Sequence, residues 1–454
     1  MRVFLNPQKR GVGGSFRAFL LARNKVKGFR KRFTSLRSLG KGNATAKQNS
    51  GRVYLRYRGF NNLMDSITLR PYQKEAVDAG VGYMKLPSQR HGLMVLPTGS
   101  GKSLVIANIV KELEAPCLVF QPSREILMQN FDKMITYGFR PGVYSASAGE
   151  KRVRAITLAT IGSVVKQPEI FDHVKYVIVD EAHVVNPKEG MYSTFLAALI
   201  AKGVKVLGMT ATPYRLSSNS SVAILRFLTR TRPRVFDDLV YYVQNLQLFK
   251  EGYLAKLEYF AVKGFDRTKL QTNSTGADYT DKSVQQHFRD LDFAGKLEAI
   301  VNRLIEIKRR GVLVFTRFVE ESRQLTQRVS GAVMVSAETP SDERYRILRD
   351  FKAGRIQVVC NVGVLTTGFD YPELDTVVLA RPTLSLALYY QMVGRCVRPH
   401  SSKAHSMVVD MVQLQKQFGR VENLLIGGPP NKPHVESGGI QLTNVYFTPQ
   451  MRGL

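Results

Sequence analysis

Three short segments of this sequence carry side chains whose types and spacing could do phosphate chemistry. Residues 96–103 read LPTGSGKS, residues 180–183 read DEAH, and residues 391–398 read QMVGRCVR. A glycine-rich turn followed by lysine and serine binds phosphates through backbone N–H groups. Adjacent carboxylates can hold a divalent cation and activate water, and arginines can neutralise a phosphoryl group in transfer. Together the segments predict cleavage of a nucleoside triphosphate.

The first segment predicts a phosphate-binding loop. Its two glycines would let the backbone fold around the phosphates, its lysine would reach the β- and γ-phosphates, and its serine hydroxyl would hold Mg²⁺. Leu96 stands where such loops usually begin with glycine, but an apolar strand before the loop and a helical pattern over residues 104–113 support the assignment. The residues expected to bind ATP here are Thr98, Gly99, Ser100, Gly101, Lys102 and Ser103.

The second segment predicts a carboxylate pair at the end of a strand. Asp180 follows the apolar residues 176–179, so it can face the phosphate loop across neighbouring strand ends and hold Mg²⁺ together with Ser103. Glu181 is the expected base that orients and deprotonates the attacking water. A pair that is merely buried, or that caps a helix, is the alternative, and the phosphate loop earlier in the chain argues against it.

The third segment predicts arginines that complete the site from a distant part of the chain. Arg395 and Arg398 are three residues apart and share one helix face if residues 386–396 are helical. Arginines supplied in this way are worth ~10³ to 10⁵ in rate in related chemistry, whereas ordinary surface charges would contribute nothing. The expected catalytic residues are therefore Lys102, Asp180, Glu181, Gln391, Arg395 and Arg398. The residues expected to couple the site to the rest of the protein are His183, Thr210 and Thr212.

Alternating strand and helix patterns must position these segments. Beyond Asp65, short apolar runs alternate with helical patterns, which is typical of an α/β fold with parallel sheets. Each segment lies at the carboxyl end of such a run, where open α/β sheets bind ligands. The runs form two groups and predict two similar lobes, with a polar stretch between them as the hinge. The expected strands are residues 93–96, 117–120, 155–159, 176–179 and 204–209, then 312–315, 332–335, 357–360, 376–379 and 407–409.

Length and composition set the domain plan. At ~150 residues per domain, 454 residues predict two to three domains. Cys117, Cys360 and Cys396 are scattered singly, which supports neither a zinc module nor a disulfide frame and favours a reducing compartment. No apolar run reaches the ~20 residues that span a bilayer, so we expect no membrane contact. The predicted domains are a basic amino-terminal domain (1–65), a first lobe (66–262), a linker (263–296) and a second lobe (297–454).

Charge indicates the partner. The chain has 66 Lys or Arg against 36 Asp or Glu, a net charge of +30, which favours a polyanion. Residues 1–64 hold 16 of the basic residues and no acid. Aromatic and basic residues interleave there, as in a nucleic-acid clamp, and we expect this segment to grip a duplex arm. A solvated tail or a mitochondrial transit peptide would show the same charge, and both stay open.

Residues 67 to about 410 resemble superfamily 2 helicases of the DExH type. Besides the three segments, the motifs that carry the resemblance lie at residues 69–73, 121–124, 160–163, 210–212, 315–317 and 361–370. Residues 252–254 and 380–385 resemble the branch that includes XPB, RecG and the phage UvsW-type branch-migration helicases. The segment 417–422 and the compact size resemble the UvsW type most. The first 64 residues match no module of this family.

The resemblance implies two tandem RecA-like domains and an ATP-dependent DNA helicase that acts on branched DNA with ATP and Mg²⁺. It implies adenine and ribose contacts at Arg70, Gln73, Gly368 and Asp370. It implies contacts with the sugar-phosphate backbone at Ser123, Arg124, Thr160, Ser163, Thr316, Arg317 and Thr367. Such contacts need no base identity, because hydroxyls and N–H groups bind phosphates of any sequence.

Several alternatives share these motifs. An RNA helicase is the nearest, because motifs that follow a phosphate backbone do not establish DNA, and a mitochondrial DNA helicase of the same superfamily is another. A restriction-type translocase would need an appended nuclease, and a silent scaffold would need damage at Lys102, Asp180, Glu181 or Arg398. We expect a monomer in the cytoplasm, that of the bacterial host if the protein is phage-encoded, with the mitochondrial matrix as the alternative.

Overall fold

Two mostly parallel β-sheets, each flanked by helices, organise the chain. The computed structural model describes residues 68–219, 222–366 and 368–445, and these belong to one compact unit. The expected basic amino-terminal domain, residues 1–65, and Thr367 lie outside the described residues. The predicted α/β class with two lobes is confirmed. Within the described part of the chain, no helix has both the length and the apolarity that crossing a bilayer requires.

The first lobe is built around a sheet with the strand order β10-β1-β7-β6-β2-β5-β3-β4. Its strands along the chain are β1 (Gly92–Val95), β2 (Cys117–Phe120), β3 (Gly142–Ser145), β4 (Glu150–Lys151), β5 (Ile156–Ala159), β6 (Tyr176–Asp180) and β7 (Lys205–Thr210), then the separate antiparallel hairpin β8 (Tyr214–Asn219) and β9 (Val222–Phe227), then β10 (Asp238–Tyr242). Its helices are α1 (Pro71–Lys85), α2 (Lys102–Leu113), α3 (Arg124–Thr136), α4 (Ile161–Val164), α5 (Met191–Ile200) and α6 (Asn245–Lys250).

The second lobe is built around the sheet order β11-β16-β15-β12-β14-β13, parallel throughout. Its strands are β11 (Leu257–Ala261), β12 (Val312–Phe315), β13 (Ala332–Val335), β14 (Val358–Asn361), β15 (Thr376–Leu379) and β16 (Ser406–Asp410), followed by a small antiparallel sheet of β17 (Leu424–Gly427), β18 (His434–Ser437) and β19 (Ile440–Gln441). Its helices are α7 (Asp281–Asp290), α8 (Phe293–Glu306), α9 (Val319–Arg328), α10 (Ser341–Lys352), α11 (Leu386–Val393) and α12 (Leu414–Phe418). Single 3₁₀ turns lie at Pro168–Phe171, Ala182–Val184, Leu228–Arg230, Arg267–Lys269 and Val421–Asn423.

The central strands form because their sequences suit burial on both faces. The strands β2 (CLVF) and β12 (VLVF) are apolar at every position and buried at every position. Parallel strands covered by helices on both sides show this continuous pattern instead of alternation. Their burial brings the strand ends, and the polar loops that follow them, to one edge of each sheet.

The predicted domain boundary after residue 262 and the predicted linker are wrong. Strand β11 pairs in register with β16, from Leu257 opposite Ser406 to Ala261 opposite Asp410, so residues 257–261 belong to the second sheet. Residues 263–296 contain α7 and the start of α8, with the rings of Phe288 and Phe293 stacked at 3.9 Å. The polar composition of this stretch reflects the solvent-facing side of a packed helix. The chain therefore crosses between the lobes before residue 257.

Candidate nucleotide cleft

The phosphate loop lies between β1 and α2 and is held by the start of α1. Gly99 and Gly101 both have φ of +86°, a backbone conformation that favours glycine. A Cβ at Gly101 would also lie 2.5 Å from Gln73 Nε2, so the Gln73 amide would have to move away from the loop. Gln73 Nε2 and the Tyr72 hydroxyl both donate to the Ser100 carbonyl, at 2.8 and 2.7 Å. The loop is therefore fixed in shape by side chains from a neighbouring helix.

Arg70 and Gln73, the expected adenine contacts, lie together beside this loop. The Arg70 backbone N–H donates to Gln73 Oε1 at 3.0 Å, so both ends of the Gln73 amide contact the protein. The Arg70 guanidinium lies over the Tyr253 ring, 4.5 Å from its centroid, and donates to the Tyr72 hydroxyl. This flat cationic surface at the mouth of the loop suits a planar base, and base contact itself stays a prediction.

Lys102 and Glu181 face each other across the ends of β1 and β6. Lys102 Nζ lies 3.3 Å from Glu181 Oε1, and His183 Nδ1 lies 3.4 Å from Glu181 Oε2. Burial would raise the pKa of Glu181, but the cationic side chains of Lys102 and Arg395 together lower it, so its carboxylate is ionised and can accept a proton. Glu181 also has left-handed backbone angles (φ 53°), which cost about 1–2 kcal/mol for a non-glycine residue. Such strain often accompanies function.

Asp180 and Ser103, the expected Mg²⁺ ligands, are joined through one side chain. The Ser103 hydroxyl donates to Asn130 Oδ1 at 2.6 Å, and Asn130 Nδ2 donates to Asp180 Oδ2 at 3.4 Å. Burial and the adjacent charge of Glu181 raise the pKa of Asp180, so its buried carboxylate lacks a fully compensating cation. A hydroxyl and a buried carboxylate are hard oxygen donors, so the pair fits Mg²⁺.

His183 connects the carboxylates to the strand end at Thr210 and to the second lobe. Its Nδ1 lies 3.0 Å from the hydroxyls of both Thr210 and Thr212, and its Nε2 lies 3.3 Å from Gln391 Nε2. Burial lowers the pKa of His183, so the imidazole is neutral near pH 7. A neutral ring that donates from Nδ1 can accept the Gln391 amide at Nε2. The expected coupling residues thus form one network.

Arg395 and Arg398 reach the cleft from a turn that follows α11. The prediction that they share a helix face is wrong, because α11 ends at Val393. Arg395 Nη1 donates to the Phe369 carbonyl at 2.8 Å, and Arg398 forms an ion pair with Asp370. Burial lowers the pKa of each arginine to about 10, so both remain cationic at neutral pH.

The second lobe lies against the phosphate loop itself. A Cβ placed on Gly99 would lie 3.3 Å from Val397 Cγ2 and 3.7 Å from Arg398 Cγ. The Thr98 backbone N–H donates to the Tyr390 hydroxyl at 3.4 Å. The stem of Arg398 therefore lies beside the loop that would bind the phosphates.

Gly368 and Asp370, the expected ribose contacts, lie where the second lobe meets α3. Gln129 Nε2 donates to the Gly368 carbonyl at 2.5 Å, and Asp370 lies 3.9 Å from Lys133 Nζ. Gly368 has φ of +74°, and a Cβ there would come within 2.9 Å of Ile126 Cγ1. Both residues therefore help to join the lobes, and their ribose contacts stay predictions.

The nucleic-acid contacts expected in the first lobe lie on loops after β2 and β5. Ser123 caps α3 by accepting the Ile126 N–H at 3.3 Å, and Arg124 begins that helix with an exposed side chain. Thr160 and Ser163 share a hydroxyl cluster with Ser145. These groups are placed where a phosphate backbone could contact them.

Two residues expected to contact nucleic acid in the second lobe are engaged in contacts within the protein. Thr316 is fully buried and its hydroxyl bonds the Ser322 hydroxyl at 2.7 Å, so no strand can reach it. The Arg317 side chain is only 9% exposed, with its guanidinium bonded to Asp281 at 2.9 Å and paired with Asp278 at 3.3 Å. Arg317 holds α7 against the sheet, so it is a structural residue. Thr367 lies outside the described residues.

Several site residues were not predicted. Gln129, Asn130 and Lys133 lie on α3 and contact both the cation ligands and the second lobe. The Tyr390 hydroxyl donates to Asn245 Oδ1 at 2.8 Å while it accepts from the phosphate loop. The available signal was the group of polar residues at positions 129, 130, 132 and 133 on the helix that begins at Arg124.

Comparison with known families matches both lobes. Residues 66–215 match the model of the type III restriction enzyme res subunit, and residues 295–400 match the helicase conserved C-terminal domain. The two matches fall on the two sheets. Each covers the loops that line the cleft.

Curated relatives span both lobes in one alignment. IRC3 of Saccharomyces cerevisiae is 24% identical over 372 residues, which cover 76% of this chain and 51% of IRC3. The DNA 3′–5′ translocase XPB2 of Sulfurisphaera tokodaii is 27% identical, covering 76% of this chain and 82% of XPB2. The ATP-dependent DNA helicase uvsW of Enterobacteria phage T4 is 22% identical, covering 75% of this chain and 68% of uvsW. The chain thus spans about half the length of IRC3.

Solved structures share the fold. The DNA-bound type ISP restriction-modification enzyme LlaBIII superposes with a TM-score of 0.57 at 18% identity, over 76% of this chain and 28% of that enzyme. This likeness supports two RecA-like domains. The two family matches and the curated relatives show that both lobes are similar to superfamily 2 helicases, including XPB- and UvsW-type proteins.

Proposed function

We propose that this chain is an ATP-dependent DNA helicase that unwinds and branch-migrates branched DNA. The observation that carries the proposal is the composite cleft. The phosphate loop and the Asp180–Glu181 pair of one lobe face Gln391, Arg395 and Arg398 of the other. Because the site is divided between two lobes, ATP that contacts both of them stabilises the closed arrangement of the lobes.

The side chains supply hydrolysis in a defined order. When ATP binds, Lys102 leaves Glu181 and contacts the β- and γ-phosphates. The freed Glu181 carboxylate then accepts a proton from the water that attacks the γ-phosphorus, and ADP is the leaving group. Arg398 exchanges Asp370 for the γ-phosphoryl group and stabilises its charge. Ser103 and Asp180 would hold Mg²⁺, which neutralises phosphate charge when bound.

The network around His183 suits transmission of the nucleotide state. Gln391 can sense the lobe separation, and His183 connects it to Thr210 and Thr212 at the end of β7. Strand-end loops on the same edge carry the exposed Arg124 and the hydroxyl cluster. Alternating grip on a strand would then accompany each opening and closing of the cleft.

DNA is the favoured partner. The net charge of +30 supports a polyanion, and the relatives XPB2 and uvsW are named for activity on DNA. Contacts through hydroxyls and arginine would bind the sugar-phosphate backbone without reading sequence. On a junction, pairs broken on one side are remade on the other, so a step worth about 1.4 kcal/mol of stacking is nearly balanced and ATP gives direction.

The basic segment 1–64 is the proposed second DNA site. Its 16 basic residues and absence of acids suit a duplex arm. Deleting it should cut junction unwinding far more than ATPase stimulated by single strands. Equal losses in both activities would contradict this role.

One panel of substrates tests the function. ATP-dependent unwinding is measured on forks, four-way junctions, D-loops, plain DNA duplexes and matched RNA duplexes. Lys102→Ala should abolish unwinding and ATP hydrolysis, whereas Lys111→Ala, an exposed lysine on the same helix, should leave both unchanged. Unwinding of the RNA duplexes at a rate equal to or above that of the DNA duplexes would favour the RNA helicase alternative. ATP hydrolysis that no nucleic acid stimulates would contradict the proposal of an ATP-dependent helicase.

A further inference from the structure

Asn130 lies at the centre of the cation site without belonging to any of the motifs that predict it. Its side chain is buried on α3, with 6% exposed. Its Oδ1 accepts the Ser103 hydroxyl at 2.6 Å, and its Nδ2 donates to Gln121 Oε1 at 2.8 Å and to Asp180 Oδ2 at 3.4 Å. One amide thus joins α2, α3 and the ends of β2 and β6.

The bond to Ser103 sets the direction of a hydroxyl. A serine hydroxyl has one proton and two lone pairs, and it rotates to suit its partners. Because Asn130 Oδ1 takes the proton, the lone pairs face elsewhere and can be offered to a cation. Without this acceptor the proton could turn toward Asp180, and the hydroxyl would then compete for the carboxylate that must hold the metal.

The bond to Asp180 sets the direction of the carboxylate. Asp180 Oδ1 accepts the Glu181 N–H at 3.0 Å, and Oδ2 accepts the Asn130 amide. Each oxygen therefore has one fixed partner and keeps lone pairs for a further ligand. Gln121 follows β2, which pairs directly with β6, so the partner that anchors the amide is carried by the strand next to Asp180.

We infer that Asn130 is a positioning residue for the divalent cation, acting through the Ser103 hydroxyl and the Asp180 carboxylate. This inference rests on the proposed ATP-dependent function. Partners that hold metal ligands in place typically change metal affinity by ~10- to 100-fold when removed. Asn130 should therefore set the Mg²⁺ requirement of nucleotide binding rather than nucleotide affinity as such.

The test measures Mg²⁺ dependence without hydrolysis. Binding of a fluorescent, non-hydrolysable ATP analogue to the full chain is followed in EDTA and across a Mg²⁺ titration. Asn130→Leu, which conserves volume and removes the amide, should raise the Mg²⁺ midpoint about tenfold or more while binding in EDTA changes less than about twofold. The matched control is Asn108→Leu on α2. Its amide donates to the Leu104 carbonyl of the same helix, away from Ser103 and Asp180, and the variant should leave the midpoint unchanged.

A double-variant cycle decides whether Asn130 acts through Ser103. In a Ser103→Ala background, Asn130→Leu should raise the Mg²⁺ midpoint by less than about a further threefold, because the Ser103 hydroxyl that Asn130 orients is already absent. A tenfold shift that persists in that background would overturn the action through Ser103, and no shift in the single variant would overturn the inference as a whole. If Asn130→Leu fails to bind in EDTA because it unfolds, Asn130→Ala is judged by the same criteria. Absence of Mg²⁺-dependent binding in the natural sequence would instead overturn the proposed function.

Discussion

The two lobes contribute to the cleft through different kinds of contact. In the first lobe, the groups that face the nucleotide are fixed by the strand ends and by short bonds, such as the Gln73 amide on the Ser100 carbonyl. In the second lobe, the groups that face the nucleotide are long arginine side chains. Their partners within the protein, such as Asp370 for Arg398, are ones that a bound phosphate would replace. The first lobe is therefore a preformed receptor, and the second supplies cations that must change partners when a triphosphate binds.

The same contrast separates the two halves of the expected nucleic-acid track. Arg124 in the first lobe is exposed, whereas Arg317 in the second is buried among Asp278, Asp281 and backbone carbonyls. Two arginines of similar motif position thus serve different purposes. Motif position therefore indicates the region of the fold in which a residue lies, whereas burial and ion pairing determine its role.

The largest expected effect comes from Arg398. Arg398→Ala should lower kcat for ATP about 10³-fold, because the γ-phosphoryl group loses its cation from the second lobe. Nucleotide binding should change far less, since the phosphate loop is intact. Steady-state ATPase and equilibrium nucleotide binding measure the two effects. The control is Arg355→Ala, an exposed arginine of the same lobe, and a comparable loss there would break the distinction between the lobes.

Arg317 should affect stability instead of DNA binding. Arg317→Ala leaves Asp278 without its arginine partner and removes bonds that hold α7, so the free energy of unfolding should fall by about 1–3 kcal/mol. DNA affinity, measured at a temperature where the variant is folded, should keep its salt dependence. Chemical denaturation and a salt series check both statements. A loss of affinity without a loss of stability would restore Arg317 as a DNA contact.

Asp180 should make stability depend on pH in the absence of metal. Burial and the charge of Glu181 raise the pKa of Asp180 in the folded state. The contribution of Asp180 to the free energy of unfolding is therefore fully present below about pH 4 and is lost as pH rises through the raised pKa. Asp180→Asn in EDTA should therefore be more stable than the natural chain at pH 8, by about 1–3 kcal/mol, with a smaller gap at pH 5. Melting temperatures at the two pH values provide the measurement.

Asp238 serves as the control of opposite sign. The Arg90 guanidinium lowers the pKa of Asp238 in the folded state. Asp238 therefore stabilises the folded state at pH values above the usual aspartate pKa, and this stabilisation is lost as pH falls through the lowered pKa. Asp238→Asn should consequently lower the melting temperature at pH 8. If both variants shifted stability in the same direction, the charge argument for the cation site would fail.

The smallest expected effect is at Arg124. Arg124→Ala should weaken binding to all DNA sequences alike and reduce the slope of log affinity against log salt by about 1, as expected for the loss of one phosphate contact. Glu125 is the neighbouring exposed residue, and Glu125→Ala should not reduce that slope. An unchanged slope for Arg124→Ala would show that Arg124 makes no phosphate contact and is not part of the DNA interface.

The fold and the first-lobe site followed from local patterns in the sequence. Strands such as Cys117–Phe120 and Thr376–Leu379 are short apolar runs, and the loops after them must meet at one sheet edge. The boundary was missed because Leu257–Ala261 is half exposed at a sheet edge and lacks a continuous apolar pattern. The role of Arg317 was missed because its partners lie on α7, and no spacing in the sequence predicts that contact.

The most direct test of the composite cleft is a structure of the full chain with Mg²⁺ and a non-hydrolysable ATP analogue. We expect the Arg398 guanidinium to leave Asp370 and to lie about 3 Å from a γ-phosphate oxygen, with Lys102 bound to the same phosphates. An Arg398 side chain that stays paired with Asp370, while the γ-phosphate contacts the first lobe alone, would contradict it.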